Sequence, residues 1–407
     1  MTRINELDGL RAIAISGVFL AHFTPAYCRV SDLLYLGWAG VDLFFAISGF
    51  LITSILLGLR EHEAPFKTFY WRRTLRIFPP YYLALTLILM LVFLHKEHVP
   101  NGVVVRCSLF LSSVKLGSIK LAVGRLLLHS GKVFPVHHRV TQYYILDFND
   151  CLGAYWSLSV EELFYLVWAP LILKGTPRMI LICSVAPLLV CPVLRGLAHT
   201  PDFDELVGFV FRFDSLAAGG CVALLFCAVG KGYLEQRLLD RGLVLTILFS
   251  SLALLLLSGH YGVFRGVDVR SALIFSMFGF TLLAIVCATV VGACVRWSGS
   301  PKAVPRFLRS KPGVYLGTIS YTMYLIHLPI YVLIQLTILK YFENGRAFEA
   351  NNGLVVLWGV LAVVCTIVLA GLSWKYFEAP ILRLKDRWFP SFARRRSTLS
   401  VVEATTS

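Results

Sequence analysis

Residues 38–58 read Trp38-Ala-Gly-Val-Asp-Leu-Phe-Phe-Ala-Ile-Ser-Gly-Phe-Leu-Ile-Thr-Ser-Ile-Leu-Leu-Gly58. The run is continuously apolar, carries one charge at Asp42, and has the roughly 20 residues that a helix needs to cross a bilayer. Runs of the same kind fall near 12–28, 78–94, 153–173, 179–194, 206–229, 242–258, 271–294, 314–339 and 353–373. Together they predict an all-α, polytopic transmembrane bundle of about ten helices. Composition agrees: 57% of the 407 residues are hydrophobic and 15% are charged, against about 25% charged in a soluble domain. A disordered chain, a secreted disulfide scaffold and a soluble nucleotide-binding enzyme are excluded. A membrane barrel is disfavoured as well, because its strands would alternate apolar and polar residues over about ten positions. Glu6 and Asp8 precede the first run and no small-residue cleavage site closes it, so it does not read as a signal peptide.

The net charge is +15, from 38 Lys and Arg against 23 Asp and Glu. The cations gather in loops between apolar runs, which points to lipid headgroups and membrane orientation and not to nucleic acid. With ten spans both termini share a side, and that side holds 24 of the cations against 13 on the other. The bias makes the termini cytoplasmic in a multi-pass membrane protein, which in a bacterium means the inner membrane. Seven of those 13 lie in one long segment, 95–150. Within it, 103–114 is too short for an easy span and 116–129 suits a basic interfacial helix. If both crossed, there would be twelve spans; ten is the preferred count. The domain reading is a membrane-embedded unit over 1–385, with 95–150 as an extracytoplasmic basic insert, and a mobile cytoplasmic tail over 386–407. The ten cysteines show no Cys-x-x-Cys, so no metal site is expected.

Ionisable residues inside spans are costly and point to function. Among the acids these are Asp42, Glu161, Glu162 and Asp214; among the histidines, His22 and His327. Arg11 and His22 are eleven residues apart, three helical turns plus roughly 20°, so they share a face about 16 Å apart along the axis. One reading is a charged anchor with a neutral imidazole base deep in the membrane. The other is a snorkelling arginine with a hydrogen-bonded structural histidine. Asp8 lies one turn before Arg11 and is placed to pair with it.

Ser157, Glu161 and Tyr165 form one polar stripe, with Glu162 turned about 100° away. Glu161 falls at the depth of His22, where a carboxylate would orient an imidazole and raise its basicity. A plain helix–helix contact is the alternative. Ser320, Tyr324, His327 and Tyr331 form a second stripe, in which His327 reads either as a ligand or as a satisfied core residue. Arg212 and Asp214 lie in one span but on different faces. The inside loop carries Arg72, Arg73 and Arg76 ahead of Pro79-Pro80. Clustered guanidiniums suit phosphate, because they bind it bidentately, though on this motif alone a positive-inside anchor is the favoured reading.

Taken together these segments resemble the acyltransferase-3 family of integral membrane O-acyltransferases. The matches are Leu7-Asp-Gly-Leu-Arg-Ala-Ile-Ala with Arg11-x10-His22, Gly40-Val-Asp-Leu-Phe-Phe through Ser48-Gly-Phe-Leu-Ile, and Arg72-Arg-x-x-Arg76. Then follow Trp156-Ser-Leu-Ser-Val-Glu-Glu, Arg212-Phe-Asp-Ser-Leu, Ser320-Tyr through His327-x-Pro329, and Phe377-Glu-Ala-Pro380. Each piece is weak, and the ordered set over nearly the whole chain is specific.

The resemblance implies about ten helices and transfer of an acyl group from cytoplasmic acyl-coenzyme A to a hydroxyl, often on a carbohydrate. It implies Arg11 and His22 as the essential pair, Arg72, Arg73 and Arg76 as the cytoplasmic basic motif, and Glu161 as the first glutamate of the Trp-Ser-Leu motif. The insert at 95–150, with His129, His137 and His138, departs from the family pattern. Some relatives append a soluble esterase-like domain, and none is expected here.

The leading function is therefore a membrane O-acyltransferase of short acyl groups, with His22 and Glu161 catalytic. Arg11, Arg72, Arg73, Arg76, Asp42, Ser157, Tyr165, Arg212, Asp214 and His327 are candidates for binding donor or acceptor. No cofactor is held tightly; acyl-coenzyme A is a co-substrate, and the other partners are a carbohydrate or glycolipid acceptor and the bilayer. A transporter or flippase for a lipid-linked or glycan substrate is the alternative, using the same buried charges as a pathway.

Overall fold

The computed structural model describes residues 3–23, 34, 36–94, 107–109, 150–197, 211–261, 273–341 and 352–388. Their regular elements are all helical: α1 (Asn5–Phe23), α2 (Gly40–Leu59), α3 (Pro65–Leu94), α4 (Trp156–Lys174), α5 (Pro177–Leu197), α6 (Phe213–Gly230), α7 (Gln236–His260), α8 (Phe280–Arg296), the short α9 (Ala303–Leu308), α10 (Lys311–Tyr341), α11 (Asn352–Ser373) and α12 (Ala379–Trp388). Wider π turns lead into α8 (Phe275–Gly279) and join α11 to α12 (Trp374–Glu378). Among the described residues nine helices are long and apolar enough to cross a membrane. With α1, which is 19 residues long and carries Glu6, Asp8 and Arg11 in its first half, they make up the expected ten.

Local chemistry sets the turns. Gly175 ends α4 with its N–H on the Leu171 carbonyl. Thr176 then accepts the Met179 N–H at 3.2 Å as a side-chain cap, and Pro177 supplies a pre-set φ for the first turn of α5.

α1 is the centre of the bundle. Its Ile15, Val18, Phe19 and Phe23 belong to one apolar core with residues of α3, α4 and α10, such as Tyr81, Phe164, Trp168, Leu325 and Val332. Its Leu7 and Leu10, with Ile4 just before it, belong to a second core with Ile47, Phe50, Val222, Phe226 and Val291 of α2, α6 and α8. Close approach depends on glycine at two seams. A Cβ on Gly49 would run into the Leu216 backbone where α2 meets α6, and one on Gly317 into the Asp8 backbone where α10 meets α1. Small residues of this kind let membrane helices pack backbone to backbone. α7, by contrast, is buried only at Leu239, Leu243, Ser250 and Ser258 and turns the rest of its surface outward.

Several boundaries differ from those read from apolar runs, four of them near Arg11, Arg73, Arg195 and Arg212. α1 begins at Asn5 rather than 12, so Asp8 and Arg11 are inside the helix. α3 begins at Pro65 rather than 78, so Arg72, Arg73 and Arg76 belong to a helix and not to a loop. α5 extends to Leu197 and encloses Arg195, which the apolar run assigned to a loop. α6 begins at Phe213, leaving Arg212 at its N-terminal edge. At α1, α3 and α5 a charged residue bounded the apolar run while the helix continued, since a charge breaks an apolar window without breaking a helix; at α6 the run instead began ahead of Phe213. Pro79 and Pro80 do not end α3 either. Close to them the Tyr321 hydroxyl of α10 donates to the Ile77 carbonyl at 3.1 Å and ties α3 to α10. The expected boundary at 385 falls inside α12. The insert 95–150, apart from its described residues, and the tail beyond 388 lie outside the described residues.

Candidate active site

At the end of the bundle where α1 begins, cations converge. Asp8 joins two of them: one oxygen accepts Arg3 Nε at 2.7 Å and the other Arg11 Nη1 at 2.8 Å. The expected Asp8–Arg11 pair is present. Arg76 of α3 is exposed and lies within electrostatic reach of Arg11, Arg73 and Asp8. Arg73 points inward. Its Nη2 donates to the Tyr165 hydroxyl, its guanidinium lies 4.1 Å from the centre of the Tyr165 ring, and it stands 3.6 Å from Glu161 Oε2. Its Nε–H is buried with no partner among the described residues. Arg72 is half-buried on the neighbouring face. This end holds a positive surplus and retains accessible surface, with Arg11 and Arg73 each 18% exposed.

The α4 stripe runs from this cluster toward the other end of α1. Tyr165 donates to Glu161 Oε2 at 2.9 Å, and Ser48 of α2 donates to Glu161 Oε1 at 2.7 Å. Two turns further along, Ser157 donates to the Tyr324 hydroxyl of α10 at 2.8 Å, and Tyr324 donates to the Ala154 carbonyl at 3.0 Å. From Tyr165 to Ser157 the stripe rises about 12 Å along α4, with Arg73 bonded at one end and Tyr324 at the other.

His22 lies in the last turn of α1 and is exposed. Its Nδ1 is 3.0 Å from the Val18 carbonyl. Because a carbonyl oxygen only accepts, Nδ1 carries the proton and Nε2 is left as the basic atom. Glu161 is expected beside this ring, but both its oxygens are taken by Ser48, Tyr165 and Arg73. The ring next to His22 is that of His327, 5.1 Å away between centroids. The reason is packing: α10 runs parallel to α1 and brings its own polar stripe alongside, while α4 meets α3 and α2 at the level of Glu161.

Asp42, Arg212 and Asp214 belong to a separate cluster on the far side of α2. Arg212 Nη1 and Ser215 Oγ both donate to Asp42 Oδ1 at 2.8 Å, and the Arg212 guanidinium stacks 3.9 Å from the centre of the Phe280 ring. Asp214 accepts Arg195 Nη2 at 2.9 Å and Thr281 Oγ1 at 2.6 Å. Arg195 also donates to the carbonyls of Phe211 and Met277, the latter in the π turn. The two arginines and two aspartates cancel in charge. Arg195 is 1% exposed and both aspartates are 0% exposed, so these residues hold one another across α2, α5, α6 and α8.

The apolar-run reading missed Arg195 and Glu378. Glu378 is buried and accepts Thr322 at 2.7 Å and Ser373 at 3.2 Å, within electrostatic reach of Arg76. Its signal was its place in the Phe-Glu-Ala-Pro motif; Arg195 gave none, since it follows an apolar run as any loop cation would.

The family profile described as an acyltransferase domain matches residues 4–374. The chain belongs to the acyltransferase-3 family. This acyltransferase-3 protein is 24% identical over 393 residues to the peptidoglycan O-acetyltransferase OatA of Listeria monocytogenes, a match covering 93% of this chain and 56% of that protein. It is 24% identical over 403 residues to the O-acetyltransferase OatA of Staphylococcus aureus, covering 96% of this chain and 59% of that protein. The chain spans somewhat over half the length of these curated relatives. No solved structure matches it. The profile of this multi-pass membrane acyltransferase family takes in Arg11, Arg72, Arg73 and Arg76, the α4 stripe and both histidines.

Proposed function

We propose that the protein transfers a short acyl group, acetyl first among candidates, from cytoplasmic acyl-coenzyme A to a hydroxyl of a cell-surface carbohydrate or glycolipid. The names of the relatives make peptidoglycan the first acceptor to test. One observation carries this reading: guanidiniums of α1, α3 and the residues before α1 gather where α1 begins, and an exposed imidazole whose basic atom is Nε2 stands where α1 ends, with Arg11 and His22 on one face of that helix. The basic end takes the diphosphate of the donor, where forked guanidiniums bind phosphate oxygens in pairs and Arg73 Nε offers an unused donor. The positive-inside bias makes this end cytoplasmic. The pantetheine arm then extends along the polar line of α4 and delivers the thioester toward His22, roughly 16 Å from Arg11 along the helix.

A hydroxyl is a weak nucleophile at neutral pH. His22 Nε2 takes its proton as the oxygen attacks the thioester carbonyl carbon, the C–O bond forms, the C–S bond breaks, and the thiolate leaves. Glu161 acts at a distance from this chemistry by fixing Arg73 and Tyr165.

The test is mass spectrometry of cell-wall glycans and glycolipids from a strain lacking the protein, complemented with the wild type or with His22→Ala. Loss of one O-acetyl mass that only the wild type restores is the expected result. An unchanged O-acyl profile in the deletion strain removes the reading.

A further inference from the structure

His327 is 0% exposed and sits in a box of rings. Phe19 stacks on it at 5.6 Å, Tyr324 lies at 5.5 Å, Phe23 at 6.1 Å and His22 at 5.1 Å between centroids. Its Nδ1 is 2.7 Å from the Tyr324 carbonyl, which assigns the proton to Nδ1 just as the Val18 carbonyl does for His22. Both rings therefore have a single basic atom, Nε2. That of His327 is buried with no partner among the described residues. A buried acceptor without a donor is unfavourable and calls for an explanation in a native structure. Packing alone gives none, since a phenylalanine or leucine would fill an aromatic box without a lone pair.

Resting on the reading of His22 as the base, we propose that His327 is its proton-sharing partner during acyl transfer. When His22 Nε2 takes the acceptor proton, the ring becomes a cation beside apolar walls. His327 Nε2 accepts that N–H, and the positive charge spreads over two imidazoles. A buried ion costs less as its charge spreads over a larger volume, so the pair makes deprotonation of a hydroxyl feasible where one ring would be penalised. The proton balance is complete: it leaves the hydroxyl, is held between the two Nε2 atoms, and passes to the departing thiolate as the C–S bond breaks. No carboxylate is needed beside His22, which agrees with Glu161 being held elsewhere. His327 acts through His22 and is a positioning residue.

The experiment uses the full chain in lipid nanodiscs, with acetyl-coenzyme A as donor and chitopentaose as probe acceptor. Thiol release counts transfer to sugar and to water alike. His327→Asn keeps an N–H for the Tyr324 carbonyl and deletes Nε2. It should lower kcat on the order of 10²-fold with the KM for acetyl-coenzyme A unchanged. Rates in mixtures of light and heavy water should follow a bowed curve for the wild type, showing more than one proton in motion, and a straight line for His327→Asn. In His327→Ala, added imidazole should restore part of the rate and pyrrole should not. A His327→Asn kcat within about twofold of wild type, equal rescue by pyrrole, a rise in KM alone, or a straight line for the wild type would each overturn the pairing. The wild-type curve decides even if both variants fail to accumulate. His22→Ala is the control for the underlying reading: thiol release at the wild-type rate there would sink the base itself, whereas an inactive His22→Ala beside a fully active His327→Asn would sink only the partner.

Discussion

The two charged clusters of this bundle are built from the same residue types and differ in balance. Around Asp42, Arg195, Arg212 and Asp214 the charges cancel, every side chain is ion-paired across helices although Asp42 Oδ2 and Arg195 Nε lack a partner among the described residues, and accessible surface is almost nil. At the start of α1, Arg3, Arg11, Arg72, Arg73 and Arg76 face Asp8, Glu161, Glu162 and Glu378, which leaves a cation in surplus, and part of the surface remains open. A closed, neutral cluster locks helices together; an open one with surplus charge has capacity left for a ligand. Buried ionic groups in this protein thus divide by charge balance and by exposure.

Substitutions should separate the two. The largest effect is expected from His22→Ala. It should lower transfer on the order of 10² to 10⁴-fold, read by thiol release, while the melting temperature in detergent stays close to that of the wild type. Comparable residual turnover would remove the base from the mechanism.

Next comes Asp214→Ala in the closed cluster. It leaves the Arg195 guanidinium buried without its carboxylate, a loss of about 3–5 kcal/mol. Fluorescence-detected size exclusion should show little folded protein, and normal accumulation would mean that the cluster is not a lock.

Replacing Arg72, Arg73 and Arg76 together by Lys keeps the charge and removes the forks. A charge-assisted hydrogen bond contributes about 1.5–3 kcal/mol, so the KM for acetyl-coenzyme A should rise roughly tenfold or more with folding retained. Unchanged donor saturation in folded protein would move the donor site away from this end.

The smallest contrast is between neighbours. Glu161→Gln removes the charge that faces Arg73 and should cut kcat/KM by about tenfold, whereas Glu162→Gln should change it less than about twofold. Equal losses would show that the α4 stripe has no special role.

The helical membrane architecture was legible because spans are a local property: about 20 apolar residues suffice, and ten runs located the ten principal helices. Candidate residues were legible for the same reason, since an ionisable side chain in an apolar run stands out. Asp8 with Arg11 was predictable from a spacing of three residues, and Ser157, Glu161 and Tyr165 from spacings of four. Misreadings came where a helix runs on past a charge. Arg195 and the α3 arginines looked like loop cations because an apolar window ends at any charge, whichever way the side chain points.

What the sequence by itself determined, then, is the class of the fold, the family, and which residues share a helix face, because a period of 3.6 residues fixes a face without reference to the rest of the chain. Tertiary structure alone decided the partners. Whether Glu161 meets His22 or Arg73, and whether His22 meets a carboxylate or the ring of His327, depends on which helices lie side by side. That depends on seams such as Gly317 against Asp8 and Gly49 against Leu216, where two backbones distant in sequence approach closely enough to set the register of every side chain beyond them.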